Sequence, residues 1–355
     1  VLAGGLRLTS SNWGHQTVPQ KHACQGMLEH RCSMDTGKVL GGSSSINMMI
    51  YNRGNRREFD NWSKLGIEGW SYDEVLPYFL KSENSTLEGL ENSVYHNHSG
   101  PLSVEYVKYR TQTDLSYVEA AQQAGYDYTD YNGASQLGVS HVQATTQQGR
   151  RHSAYSAFIE PVWEQRQNNL QILTQARVEK ILFGPLGKKA IGVRFHHQNR
   201  SYQAFARKEV ILSAGVFHSP QLLMLSGVGP AKRLRQVKIP QLHELPVGKT
   251  LYDHMKHFGP VFTTNLSRPF NNLADYVPEF LSGASDTPLS LIGGVESLTL
   301  ARVPNSKLQP EIPDYEILHV FGTMKREQQK ILNQKDEIYN ALYRDLENSK
   351  QSIFT

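Results

Sequence analysis

Short stretches of strand-like alternation and short stretches of helical spacing follow one another along this chain, punctuated by glycine. Residues 1–34 keep neither period and read as an irregular lead-in. Ser71 with Glu74 three positions on is a capping-box pattern. It predicts a helix that buries Val75, Leu76 and Phe79. Gly100–Val107 alternates as a strand does. Thr113–Gly125 carries Leu115, Val118, Ala121 and Ala124 at helical spacing and ends on a glycine suited to a left-handed cap. Residues 127–138 are turn-rich, Val139–Thr146 reads as a further strand, and Gly149–Pro161 opens on a basic pair before an apolar helix. Leu170–Phe183 reads as two strands meeting at Gln175–Ala176. With Ala190–His197 and Ser201–Ala206 it predicts a glycine-turned β-meander. Val210–Leu212 is expected as a buried strand turning at Ala214-Gly215. Ser219 then caps a short helix, Gln221–Leu225, with Pro220 at its first position. Phe280–Thr299 ends in the alternation V-E-S-L-T-L, Asp314–Val320 is strand-like, and Met324–Glu347 is helical in composition. Trp62 and Trp70 are expected in the core. Thr86–Gly100 is expected as an exposed loop that leaves His96 and His98 solvated rather than metal-bound.

A composition of 39% hydrophobic and 20% charged residues over 355 positions is that of an ordinary globular chain of about two domains. The net charge of +4 is spread out, with no basic block, so nothing points to nucleic acid. No apolar run approaches the ~18 residues of a membrane span. Cys24 and Cys32 are the only cysteines, and they either close a small loop or remain free thiols. Five N-x-S/T sequons, at Asn61, Asn84, Asn97, Asn199 and Asn265, tilt the reading toward a secreted protein in an oxidising compartment.

The stretch richest in chemistry is Gly37–Gly54, G-K-V-L-G-G-S-S-S-I-N-M-M-I-Y-N-R-G. Paired glycines let a backbone approach a ligand closely, because no Cβ intervenes. Ser43–Ser45 offer hydroxyls and N–H groups to a helix start or an anion. Asn47 both donates and accepts, which suits the edge of a heterocycle. A plain Gly-Ser turn before a buried helix is the competing reading. Arg150 and Arg151 offer charges to a phosphate, although a surface ion pair is the commoner fate. Asp253, His254 and His257 lie close together, but three ligands in five residues make poor metal geometry, and a structural Asp–His bond is expected instead. No G-x-G-x-x-G occurs anywhere, which argues against a nicotinamide dehydrogenase.

Gly41–Gly54 fits G-G-S-S-x-x-N-x-M-x-Y-x-R-G, and the chain resembles the glucose–methanol–choline (GMC) family of FAD-dependent oxidoreductases. Met48 stands where that family usually has glycine. The run W-x-Y-x-x-V-L-P-Y-F at Trp70–Phe79 is similar to the family's opening of the substrate side. S-P-x-L-L-x-x-S-G-x-G at Ser219–Gly229 resembles its second signature, with Val216 and His218 as departures, and Val247–His254 resembles V-G-x-N-L-x-D-H. Y-N-A-L-Y-x-x-L-E-N at Tyr339–Asn348 resembles insect members.

The resemblance implies an α/β (α+β) fold with two parts. One is an FAD-binding domain (1–62 and 140–261) that lacks the family's first βαβ unit. The other is a substrate-binding lobe on a β-sheet (63–139 and 262–355). It implies FAD contacts at Val39, Gly42, Ser43, Ser44, Asn47, Met48, Met49, Ile50, Val178 and Gly215, with Val178 holding the adenine through its backbone. It further implies hydride transfer from a CH–OH group of an alcohol or sugar to flavin N5, with oxygen or a quinone as electron acceptor. No position matches the family's proton-handling histidine pair, and His218 is not taken for it. The chain is therefore expected to be an inactive internal piece of a larger enzyme, holding no metal and not retaining FAD by itself. The alternative is a catalytically silent secreted binding protein of the same descent.

Overall fold

The computed structural model describes residues 6–256, 262–267, 273–291, 293–322, 326–344 and 351–354. It divides into two compact units, Val1–Gln165 with Phe258–Thr355, and Arg166–His257. Helices and sheets are mixed, as an α/β reading expects.

The first unit is organised around a five-stranded sheet. Its order is Phe262–Ser267, Gln351–Phe354, Tyr315–Gly322, Val295–Ala301 and Gly138–His141, with antiparallel neighbours throughout. Val295–Ala301 is buried along its whole length, where the sequence alternation suggests one wet face. The polar half is covered because the Gln112–Gln123 helix lies on it. Tyr117 Oη and Thr299 Oγ1 are 2.7 Å apart, and Ser297 donates its hydroxyl to Asp114. The apolar half, Leu298 and Leu300, joins Met49, Val107, Tyr131, Val142 and Leu291 in the core. A register irregularity between Val295 and Ser297 brings Val295 into the same cluster. Each large apolar side chain fully buried there stabilises the unit by roughly 1.5–3 kcal/mol.

Val139–Thr146 is not one strand. Gly138–His141, Gln143–Ala144 and Thr146–Gln147 each join a different sheet. Gln143–Ala144 pairs with Leu102–Tyr106, which runs parallel to Glu83–Ser85. The chain turns this corner at Val142, whose N–H reaches Glu296 O at 2.9 Å.

The capped helix forms over Tyr72–Ser82. Ser71 N–H and Oγ both donate to Glu74, at 3.0 and 2.6 Å. Val75 is buried, whereas Leu76 and Phe79 are half-buried. Trp62 and Trp70 depart from expectation: they lean on each other, centroids 5.5 Å apart, and stay 42% and 46% exposed. Leu115 is likewise exposed, and Val118 carries the buried face of its helix. Met324–Glu347 resolves into the helices Arg326–Ile331 and Asp336–Tyr343 among the described residues. In the lead-in, Cys24 and Cys32 form a disulfide with Cα atoms 5.5 Å apart. That loop is tied to the chain's later part, since Asn333 Nδ2 donates to Leu28 O and Arg31 O.

The second unit carries the β-meander, Ala176–Phe183, Ala190–His197 and Arg200–Phe205. Residues 170–175 form no strand. The strand begins only after Gln175, whose φ of 52° breaks the extended path. Val210–Leu212 is not a strand and Ile211 is 78% exposed, because no described strand lies beside it to complete a ladder. The following helix spans Gly215–Leu225, six residues earlier than its Ser-Pro pair suggests. Ser219 does not cap it but accepts a bond from Ala214 N at 3.1 Å, and Pro220 lies inside it. Ser226 fastens this helix to the meander: Ile181 N donates to its Oγ at 2.8 Å, and that hydroxyl donates to Leu222 O at 2.6 Å.

Candidate functional site

The strap Gly37–Gly54 has a geometry that only its glycines allow. Gly41 takes φ 85° and Gly42 φ 57°, both left-handed. At Gly41 an added Cβ would sit 2.5 Å from Ser45 Oγ, whereas at Gly42 it would meet nothing within 4 Å. Gly41 is therefore required by the strap's own packing as well as by its conformation, whereas Gly42 is required by conformation alone and faces open space. Gly42–Ser45 forms one short 3-10 turn.

The serine hydroxyls serve the strap itself. Ser43 Oγ accepts from Gly37 N at 3.1 Å, Ser44 Oγ donates to Gly41 O at 2.6 Å, and Ser45 Oγ donates to Leu40 O at 2.8 Å. Ser44 Oγ also accepts from Ala154 N at 2.9 Å. These bonds shape the turn.

Arg151 locks the turn from behind. Its Nη1 donates to Ser44 O and Asn47 Oδ1 at 2.9 and 2.8 Å, and its Nη2 donates to Asn47 O at 2.9 Å. Among the described residues this guanidinium meets backbone and amide oxygens rather than a carboxylate, and burial pushes it down from its ordinary pKa. The contact also fixes the Asn47 amide. A guanidinium only donates, so the oxygen must face it and the Nδ2 hydrogens point elsewhere. Asn47 is exposed, and its Oδ1 also accepts from Met49 N at 3.1 Å.

The remaining strap positions divide. Val39 and Leu40 are 45% and 41% exposed, although apolar. Met49 is a core side chain held at φ 61°, and Met48 and Ile50 pack against the same core. Their backbone is engaged too, since Thr145 N donates to Met49 O and Tyr51 N to Gln143 O, both at 2.8 Å. The open face of the strap is thus Val39–Ser43 with Asn47.

Arg53, at the end of the strap, enters a buried network that the sequence reading did not assemble. Arg53 Nη2 donates to Glu83 Oε2 at 2.6 Å, with both side chains almost wholly buried. His96 stands between two carboxylates, 2.9 Å from Glu83 and 2.9 Å from Asp130. Burial alone would lower its pKa, but the bonds to Asp130 and Glu83 override that and raise it to about 9. Asn132 and Gln143 complete the set, with Asn132 Oδ1 accepting from Arg53 N at 2.8 Å. His96 is therefore a buried clamp and not a solvated loop residue. Its only advance signal was an acidic residue at Glu83 and another at Asp130, far apart in sequence. A polar cleft of about 320 Å³ opens nearby, lined by Asn55, Arg56, Tyr72, Gln136 and Glu311 among others.

Val178 and Gly215 belong to the second unit. Val178 faces Phe195 across the meander and is 37% exposed. Gly215 opens the Gly215–Leu225 helix at φ 89°, with nothing within 4 Å of an added Cβ. His218 is half-buried on the same helix. Asp253 and His254 are exposed and joined only by His254 N donating to Asp253 Oδ1 at 2.8 Å, and His257 lies outside the described residues. Among the described residues no group of three potential ligands could hold a metal ion.

An FAD molecule fits what is present in one specific sense. Gly42 leaves open the space that a Cβ would fill, and the Asn47 amide of the same strap is turned to donate.

Comparison with known proteins places the chain in a family. The GMC oxidoreductase family model matches residues 3–256. Glucose dehydrogenase (FAD, quinone) of Drosophila pseudoobscura pseudoobscura is 34% identical over 313 residues, 86% of this chain and 48% of that protein. Mitochondrial choline dehydrogenase of Mus musculus is 39% identical over 258 residues, 72% of this chain and 41% of its own length. An FAD-dependent oxidoreductase from Chaetomium thermophilum superimposes with a TM-score of 0.69 at 26% identity, covering 82% of this chain and 53% of that one. Pyridoxine 4-oxidase from Mesorbium loti shares the fold at a TM-score of 0.71 and 24% identity, covering 90% and 57%. The chain spans about half the length of the curated relatives it matches. It belongs to the GMC oxidoreductase family, whose cofactor is FAD.

Proposed function

We propose that this chain forms part of an FAD-dependent oxidoreductase acting on the CH–OH group of a small alcohol or sugar. The carrying observation is the strap Val39–Asn47: an open left-handed Gly42 beside an Asn47 amide that Arg151 has oriented as a donor. Val39, Gly42, Ser43, Ser44, Asn47 and the backbone at Met48–Ile50 would face the flavin end. Val178, holding the adenine through its backbone, and Gly215 are further FAD contacts of this reading. FAD, when bound, supplies the hydride acceptor. The protein's own part is to hold an apolar wall at Val39 and Leu40, a close backbone at Gly42, and an oriented donor at Asn47. None of these groups holds or moves a proton, so no residue of this chain is assigned general acid or base.

The expected division into an FAD domain (1–62 and 140–261) and a substrate lobe (63–139 and 262–355) belongs to this reading, as do oxygen or a quinone as acceptor. A secreted location is supported by the Cys24–Cys32 disulfide and the sequons. Among the described residues no helix is long and apolar enough to cross a membrane.

The test uses the product of the complete coding sequence that contains this chain. It should purify with bound flavin and reduce a dye at the expense of one member of a panel of sugars and alcohols. Asn47→Ala should lower both flavin content and turnover. A full-length protein that stays colourless when refolded with excess FAD would overturn the proposal.

A further inference from the structure

Among the sequons, one stands apart in the fold. Asn199 sits at the tip of the hairpin joining Ala190–His197 to Arg200–Phe205, where the His197–Arg200 pair closes a two-residue turn. Gln198 and Asn199 take φ 48° and 61°, the left-handed pair that a tight hairpin demands and that asparagine tolerates. Asn199, Arg200 and Ser201 are all exposed, and the Asn199 amide makes no side-chain hydrogen bond among the described residues. The other described sequons differ. Asn97 Nδ2 donates to Leu80 O at 2.8 Å and to Ser99 Oγ at 3.1 Å, so both amide hydrogens are in use. Asn84 is half-buried in a paired strand. Asn61 is exposed but lies within the Arg56–Lys64 helix.

We propose that Asn199 is an N-glycan acceptor, a reading that rests on passage of the protein through the secretory route. The donor is a lipid-pyrophosphate-linked oligosaccharide. Asn199 Nδ2 forms the bond to the sugar C1, the C1–O bond to the pyrophosphate breaks, and one Nδ2 proton is released. The product keeps a single N–H on that nitrogen. Asn199 loses nothing by this, whereas Asn97 would forfeit one of its two bonds. The hairpin tip also points a bulky, hydrated chain away from the meander's ladders, so the fold tolerates it.

The complete coding sequence should be expressed in insect cells behind a heterologous secretion signal. Glycopeptide mass spectrometry after enzymatic deglycosylation in heavy-oxygen water then reads each sequon. Label is expected at Asn199 and absent at Asn97. Asn199→Gln and Ser201→Ala should each remove the same glycan, the second while leaving the asparagine in place. An unlabelled Asn199 in protein recovered from the medium would overturn the site assignment. Label at Asn199 here, with none in protein from its native source, would keep the site and sink the secretory reading instead.

Discussion

Arg151→Ala is the perturbation that isolates the strap. The substitution deletes the donors to Ser44 O, Asn47 Oδ1 and Asn47 O, at 2.9, 2.8 and 2.9 Å. Bonds from a charged donor contribute about 1.5–3 kcal/mol when dry. This site is half open to water, and solvent replaces part of each bond, so about 1 kcal/mol apiece is the better figure. The sum, roughly 3 kcal/mol, acts on the ordering of a surface turn and not on the core beneath it. If that energy selects the binding-competent turn, FAD affinity of the full-length protein falls by about two decades. Arg151→Lys keeps the charge but not the fork, and should lie between the two. The assay is titration of apoprotein with FAD, read by quenching of flavin fluorescence, with thermal unfolding of the apoprotein as control. An Arg151→Ala protein that unfolds like wild type and binds FAD within a factor of two would refute the reasoning.

Other outcomes follow from the buried charges and the glycines. His96, raised to about 9, favours the folded state fully below the unfolded imidazole pKa. Thermal stability should therefore fall as pH rises from ~6.5 through about 9, by up to roughly 3 kcal/mol, and His96→Gln should flatten that slope. Glu296, pushed up to about 7 chiefly by burial against the opposing bonds from Thr111, penalises the fold as it ionises. Glu296→Gln can still accept from Thr111 N and donate to Thr111 Oγ1, so it should match or exceed wild-type stability above pH ~7. Gly42→Ala should cost only about 1–2 kcal/mol, the left-handed penalty, yet impair FAD binding far more, because its methyl enters the open face. Gly41→Ala should disrupt the strap outright, since its Cβ would sit 2.5 Å from Ser45 Oγ.

The sequence made local features legible and left tertiary ones dark. The Ser71–Glu74 capping box and the Gly125 cap, at φ 95°, are written in residues a few positions apart, and both formed. The meander was readable because its turns carry their own chemistry. Val210–Leu212 misled because an apolar run says nothing of whether a partner strand stands beside it. Trp62 and Trp70 misled because size is not location. At the site, the motif located the strap but not its buckle. Arg151 lies 104 residues from Asn47, and nothing in its neighbourhood says that it would meet the strap's backbone and amide oxygens. His96 was hidden for the same reason: its two carboxylates come from Glu83 and from Asp130, 13 and 34 positions away.

The central claim is that the strap faces the cofactor. Hydrogen exchange of the full-length protein, with and without FAD, tests it at the backbone itself. Amides of Gly42–Met48 should exchange markedly more slowly once FAD is bound, while those of the buried Val295–Ala301 strand stay unchanged. Saturating FAD that leaves peptides covering Gly37–Gly54 exchanging as in the apoprotein would contradict it.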